Sequence, residues 1–228
     1  MVLTGWAVLA VAGFALHPPG VFHGDEALAR NGERWLAFES TLAGSRLVPT
    51  RVRLDRVVDE IVDGPGERTG LEVVAPGAPA AAMLLRGPGL RAGAVEEGEI
   101  LAIDPADDGA SAAFRFRGVE YRLRPACPAT LPVPGSRQAC RMMLTGGGLE
   151  HGLYDVARWL GEDGHPGYGD EGHPRLMHVA DFDRDGRVDL ILDTSDHYTA
   201  TQPTLYLSSP ATGDAPLRQV ALHRSTGC

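Results

Sequence analysis

Residues 176–192 read LMHVADFDRDGRVDLIL, and this stretch decides how the rest of the chain is interpreted. Within it, four carboxylates stand at the first, third, fifth and ninth positions of one short segment: Asp181, Asp183, Asp185 and Asp189. Acids at alternate residues of a tight loop point toward one centre, where a hard cation such as Ca²⁺ takes roughly six to eight oxygen ligands. Gly186 permits the sharp turn that such a loop needs. The pattern predicts a calcium loop, with a solvated acidic turn as the alternative.

The segments on both sides of the acidic loop have the character of strands. Leu176–Val179 precedes it, Val188–Leu192 follows it, and Pro174 disfavours a helix before the first segment. An EF-hand would require flanking helices and a glutamate at position 12 of the loop. Position 12 is Leu192, so the pattern indicates a strand-flanked calcium loop.

Residues 179–192 resemble the calcium loop of FG-GAP and VCBS-type repeats, which read as a strand, D-x-D-x-D-G-x-x-D and an apolar strand. The resemblance implies a Ca²⁺ ion held by five residues: Asp181, Asp183, Asp185, Asp189 and, through its backbone carbonyl, Arg187. Thr204–Ser208 and Leu217–Leu222 are similar to the strands that complete such a unit. A β-propeller would need about four to eight blades, and the sequence contains one such loop, so a full propeller is not expected.

The remainder of the chain predicts short strands separated by Gly, Pro and Asp turns. The clearest is 114–124, where the apolar phase changes at Gly118 and indicates a hairpin turn or a bulge. Residues 23–36 carry a weak helical pattern, and residues 153–160 could form a short helix or equally a strand. We therefore predict a mainly β fold, an antiparallel sandwich or open barrel with the calcium loop near the C-terminus.

The first sixteen residues carry no charge and are typical of the apolar region of an export signal, although no basic residue precedes them. They are fewer than the roughly 20 residues that span a bilayer as a helix. A buried segment of the fold or an uncleaved anchor is the alternative. We assign 1–22 to a signal, 23–150 to a β-rich region and 151–228 to a calcium-loop unit packed with it as one domain. The predicted location is secreted or periplasmic, with no stable membrane span after cleavage.

The three cysteines are also informative about the cellular compartment of the protein. Cys127 and Cys140 bracket a proline-rich loop, and a disulfide between them would stabilise the fold by about 3 kcal/mol. Disulfides of this kind persist in oxidising compartments. Cys228 leaves an odd count and could pair with either cysteine, link a second chain or stay free.

The sequence contains no pattern that specifies catalysis. The four histidines nearest the acidic loop in sequence could support metal-assisted hydrolysis; they are His165, His173, His178 and His197. No HExxH or GxSxG motif is present. The predicted hairpin carries four arginines, Arg115, Arg117, Arg122 and Arg124. They could bind an acidic glycan or protein, but a surface on which they form ion pairs is favoured. The net charge of −9 gives no support to nucleic-acid binding.

These observations predict a non-enzymatic, exported calcium-binding protein. Its metal would be structural, and its role would be binding or envelope interaction with an unknown protein or glycan. The alternatives are a secreted metal-dependent hydrolase and a subunit of a surface assembly joined through Cys228.

Overall fold

A computed structural model describes residues 13–104, 110–129, 136–160, 166–168, 174–210 and 215–227. In these ranges the chain forms strands and turns without a helix, and every strand pairing is antiparallel. The prediction of a mainly β, antiparallel fold is confirmed. None of the described segments contains a helix with the length and apolar character needed to cross a bilayer.

The strands, in chain order, are β1 (Ala15–His17), β2 (Gly20–Phe22), β3 (Arg34–Thr41), β4 (Gly44–Arg51), β5 (Arg53–Val57), β6 (Gly70–Val74), β7 (Ala81–Arg86), β8 (Gly93–Val95), β9 (Glu99–Ile103), β10 (Ala112–Phe116), β11 (Val119–Ala126), β12 (Arg137–Gly146), β13 (Leu149–Leu160), β14 (Pro166–Tyr168), β15 (Arg175–Ala180), β16 (Asp189–Asp193), β17 (Ala200–Thr201), β18 (Pro203–Leu207), β19 (Arg218–Leu222) and β20 (Ser225–Thr226).

Four strands near the C-terminus form the loop sheet, in the order β15-β16-β18-β19. Every residue of β16 and β18 is buried. Leu190 and Tyr206 pack against β10–β12 of the six-stranded sheet β14-β13-β12-β11-β10-β9, whereas Ile191 and Leu205 pack on the opposite side. The apolar runs 190–192 of β16 and 205–207 of β18 follow from this, because a strand covered on both faces has no solvent side that would require polar residues.

The opposite side of the loop sheet is covered by the five-stranded sheet β1-β7-β3-β4-β8. Phe38 and Leu47 of that sheet face the loop sheet, whereas Trp35 and Ala37 face the three-stranded sheet β2-β6-β5. Side chains alternate along β3 because successive residues of a strand point to opposite faces. The sheets thus stack as layers, with the loop sheet between its two larger neighbours.

The 114–124 hairpin turns at Arg117 and Gly118, which have φ angles of 48° and 77°. Because Phe116 pairs with Val119, the turn has two residues with positive φ, which is the type I′ geometry favoured in tight hairpins. This decides between the hairpin and the bulge. The predicted disulfide is also confirmed, since Cys127 is bonded to Cys140 just beyond the pairing of β11 with β12. Cys228 lies outside the described residues.

The predicted signal segment includes strands of the fold, and one predicted boundary falls inside a strand. Residues 1–12 lie outside the described ranges, but β1 pairs with β7, and Leu16 and His17 are fully buried. The export signal stays a prediction, and a cleaved signal would have to end before Ala15 for the five-stranded sheet to keep β1. The boundary between 150 and 151 lies within β13, and 153–160 is part of that strand and not a helix.

Candidate metal centre

The acidic loop connects β15 to β16, and the pairing of Ala180 with Asp189 brings its two ends together. Arg184 and Gly186 adopt left-handed conformations, with φ angles of 62° and 86°, which fold the loop back on itself. Phe182 is fully buried and packs edge-on against Phe38 of the five-stranded sheet, with ring centroids 5.0 Å apart. This aromatic contact holds the loop against the core while the alternate acidic residues turn the other way.

Three of the predicted ligands come together. One carboxylate oxygen from each of Asp181, Asp183 and Asp189 lies within 4.8 Å of the others. Asp189 is fully buried and Asp181 is 3% exposed. An all-oxygen group at this separation offers the ligand type that hard cations prefer, so the residues can hold a metal ion.

Hydrogen bonds from the surrounding backbone orient the two buried carboxylates. The amides of Asp185 and Gly186 donate to the oxygens of Asp181 at 3.0 and 2.9 Å. The amide of Phe182 donates to Asp189 Oδ2 at 2.8 Å, and Ser208 donates to Asp189 Oδ1 from its amide and its hydroxyl at 2.8 and 2.9 Å. Donors at these positions fix each carboxylate before any cation binds.

Asp183 differs from its two neighbours in the trio. Its Oδ1 accepts the amide of Asp185 at 3.2 Å, whereas its Oδ2 is buried and has no hydrogen-bond partner. Buried carboxylate oxygens are nearly always satisfied in folded proteins. An oxygen of this kind within a trio of acids is a position where a cation would supply the missing interaction.

The electrostatics of the trio favour a positive charge at its centre. Burial raises the pKa of Asp181, and the charges of Asp185 and Asp183 add to the rise, against the hydrogen bond from Gly186. Burial raises the pKa of Asp189 well above its usual range, and the charge of Asp183 raises it further. A bound cation would reverse both effects, because an opposite charge at contact distance favours the ionised carboxylate.

Asp185 does not join the trio. Its Oδ2 accepts the hydroxyl of Ser208 at 2.9 Å and lies 2.7 Å from the guanidinium of Arg187, while its Oδ1 accepts the Arg187 amide at 2.8 Å. Burial opposes ionisation of Asp185, but these donors outweigh it and lower its pKa. The structure thus turns the fourth predicted acid toward a guanidinium two residues away. The carbonyl of Arg187 stays a predicted ligand.

Two residues of the site were not predicted from the sequence. Arg117, 69 residues before Gly186, donates to the Gly186 carbonyl at 2.6 Å and lies 3.7 Å from the carboxylate of Asp181. No local pattern around Arg117 indicates this contact, because the packing of two sheets creates it. Ser208 could have been found, since it is the last residue of the segment predicted to complete the calcium-loop unit.

The histidines considered for catalysis lie apart from the trio where they are described. His178 packs edge-on against Phe38, with ring centroids 5.1 Å apart. His197 Nδ1 is 2.8 Å from the hydroxyl of Thr199, and its ring stacks on Tyr198. His165 and His173 lie outside the described residues.

The predicted basic face of the hairpin is ion-paired at two of its four arginines. Arg115 contacts Glu99 at 3.0 Å and Glu120 at 2.8 Å, and Arg117 contacts Glu96 at 2.6 Å. Both arginines thus belong to an ion-paired surface, the alternative that the sequence favours.

No protein-family profile, curated protein or solved structure matches this chain. The likeness to FG-GAP and VCBS-type repeats accordingly rests on the residues of the loop and stays a prediction.

Proposed function

We propose that this chain is an exported, non-enzymatic calcium-binding protein whose ion stabilises the loop sheet of a binding or envelope domain, with a protein or glycan as partner. The observation that carries the metal is the buried Oδ2 of Asp183, which has no hydrogen-bond partner and lies within a trio of carboxylates. An all-oxygen site favours Ca²⁺ or Mg²⁺ over zinc or copper, which prefer nitrogen and sulfur ligands.

The choice of calcium over magnesium follows from the loop. Mg²⁺ demands near-ideal octahedral geometry and keeps several waters, whereas Ca²⁺ accepts irregular cages with more protein oxygens. The trio comes from one nine-residue loop in which Asp181 and Asp189 are already held by backbone amides. An irregular cage of this kind suits Ca²⁺, and an exported protein meets that ion at high concentration.

The ion would act by joining strand ends. Asp181 directly follows β15 and Asp189 begins β16, while Ser208, which binds Asp189, directly follows β18. A cation among these residues holds three neighbouring strands of the loop sheet in register. The role is therefore structural, and the prediction concerns the free energy of unfolding.

Thermal melting with calcium, magnesium or EDTA tests the proposal. A ligand that binds the folded state alone adds about 2.7 kcal/mol at a hundredfold excess over Kd, so calcium should raise Tm more than magnesium does. Asp183→Asn should remove the calcium-induced rise in Tm. The substitution keeps the shape of the side chain, but it removes the negative charge and replaces one carboxylate oxygen with an amide nitrogen. Asp155→Asn, at an exposed acid paired with Arg141, is the matched control and should retain the shift. An unchanged Tm with calcium, or a full shift in Asp183→Asn, would refute the proposal.

A further inference from the structure

Four arginines converge at one end of the five-stranded sheet. Because β3 runs antiparallel to both β4 and β7, the start of β3 lies beside the ends of its two neighbours. Arg34 begins β3, Arg51 ends β4, Arg86 ends β7, and Arg91 lies in the segment that follows β7. All four line a single cleft with a volume of about 550 Å³.

The cleft is basic although the chain as a whole carries a net charge of −9. None of the described residues that line it is acidic, and Arg86 is paired with Glu33 beside it. Within the described part of the chain, no carboxylate lies in ion-pair range of Arg34, Arg51 or Arg91. Three guanidinium groups thus face this cleft without a neutralising partner.

The register places two of these charges directly opposite one another. Arg34 pairs with Arg51 across β3 and β4, and both side chains are exposed. Like charges at directly opposed positions destabilise a sheet. An oxyanion between them would convert the repulsion into two attractive contacts, and the planar guanidinium matches carboxylate and phosphate oxygens in pairs.

Beneath the arginines the cleft is apolar. Its lining includes Leu36, Pro49, Leu85 and Leu90. The volume falls within the range of roughly 300–1,000 Å³ typical of small-molecule sites. The combination suits a compact ligand with an apolar face and charged groups at its edge.

One side of the cleft is already rigid. Glu33 pairs with Arg86 and accepts the indole N–H of Trp35 at 3.0 Å, and the Arg86 guanidinium lies 4.9 Å from the centroid of the Trp35 ring. Across the cleft, Arg184 of the acidic loop donates to the carbonyl of Arg91. Groups held in place before binding lose little conformational freedom when a ligand arrives.

We propose that this cleft binds a small polyanion, a compact molecule with an apolar face and at least two carboxylate or phosphate groups, through Arg34, Arg51 and Arg91. The inference goes beyond the proposed calcium function and stands on residues outside the trio of acids. Failure of the calcium experiment would leave it intact, and its own failure would leave the calcium site intact.

Isothermal titration calorimetry at low ionic strength, with citrate, digalacturonate and inorganic pyrophosphate as probes, tests the cleft. At least one probe should bind saturably, and the affinity should fall at high salt. Arg34→Gln combined with Arg51→Gln should weaken binding by at least about tenfold, because the double substitution removes two charge-assisted contacts to the ligand. Tighter binding of citrate and digalacturonate would identify the preferred group as carboxylate, and tighter binding of pyrophosphate would identify it as phosphate. Either result supports the proposal.

The matched control is Arg122→Gln combined with Arg124→Gln, which changes the net charge equally at two exposed arginines of β11. It should retain the affinity within about twofold, since its charges lie outside the cleft. Melting curves of both double variants establish that each is folded. The proposal is refuted if none of the three probes binds, or if the two double variants lose affinity equally, because the effect would then come from overall charge.

Discussion

The acidic loop and the arginine cleft are two charged sites of this molecule, and they are built in opposite ways. The loop draws Asp181, Asp183 and Asp189 from nine consecutive residues, and it buries Asp181 and Asp189. The cleft draws arginines from three strands and a connecting segment and leaves them at the surface. The loop forms within one turn of the chain, whereas the cleft exists only when the register of the five-stranded sheet is correct.

This difference predicts different consequences of substitution. A buried charge is desolvated, so its hydrogen bonds and its counter-ion contribute strongly to the free energy of unfolding. An exposed arginine keeps most of its hydration and contributes little to that free energy. Changes in the loop should therefore alter stability, and changes in the cleft should alter affinity.

The largest effect is expected for Asp189→Ala. The substitution leaves two buried donors without an acceptor, the amides of Phe182 and Ser208, whereas the Ser208 hydroxyl can still donate to Asp185. Unsatisfied buried groups cost about 1–3 kcal/mol each, so we expect a loss of roughly 3 kcal/mol or more in urea unfolding with EDTA present. Asp183→Asn under the same conditions should cost under about 1 kcal/mol, since Asp183 accepts one hydrogen bond in the loop. Similar losses of unfolding free energy in the two variants would contradict the distinction between Asp189, whose hydrogen bonds support the fold, and Asp183, whose carboxylate mainly serves the metal.

The pH dependence of stability tests whether burial has the same consequence outside the acidic loop. His17 is fully buried, its Nδ1 is 2.6 Å from the Pro18 carbonyl, and its ring lies 4.1 Å from that of His223. Burial, and then the charge of His223, lowers the pKa of His17 to about 4. Burial likewise lowers the pKa of His223, against its contact with the carbonyl of Glu26.

Both histidines are therefore neutral in the folded protein, while the unfolded chain takes up protons near pH 6.5. The contribution of His17 to stability is complete above that pH and is lost as the pH falls toward about 4, which amounts to about 3 kcal/mol. His223 contributes in the same direction. His17→Asn keeps a donor for the Pro18 carbonyl and removes the titration. Urea unfolding of both proteins at several pH values, with calcium saturating, should show a shallower decline in the variant. An equal decline would assign the acid sensitivity to other groups.

The same contrast explains how much could be predicted from the sequence. The loop was recognised because its chemistry lies in consecutive residues, and β16 and β18 were recognised because burial on both faces leaves continuous apolar runs. The cleft was missed because Arg34 and Arg51 become neighbours only through strand register. The segment around Leu16 was assigned to a signal because a buried strand and the apolar core of a signal have the same composition.

Asp185 shows a second limit of prediction from spacing. Its position in the loop matches a ligand, yet its carboxylate contacts Arg187 and Ser208. Alternation along the chain predicts that the acids share a face, but it does not predict which of them forms an ion pair with a nearby guanidinium. That depends on competition between side chains, which arises only when the end of β18 brings Ser208 to the loop.

The smallest expected effect concerns the contact between the two sites. Arg184 lies in the acidic loop and donates to the Arg91 carbonyl. Its guanidinium also lies close to Gly93, about 3.0 Å from the position that a Cβ atom would occupy there. Arg184→Gln shortens this side chain but keeps a non-glycine residue at the φ of 62°, so the backbone strain is unchanged. We expect the affinity of the cleft for its polyanion to fall two- to threefold, about 0.5 kcal/mol, because the segment carrying Arg91 loosens while Arg34 and Arg51 stay in place.

Titration of Arg184→Gln beside Arg218→Gln, an exposed arginine on β19, measures this coupling. The control should bind as the unsubstituted chain does, because Arg218 lies on another sheet and outside the lining of the cleft. If the contact couples the sites, chelating calcium should weaken polyanion binding in the unsubstituted chain and have less effect in Arg184→Gln. A tenfold loss in Arg184→Gln would contradict the separation of a stability site from an affinity site. Identical affinities in all three proteins would instead show that the contact between Arg184 and the Arg91 carbonyl transmits nothing.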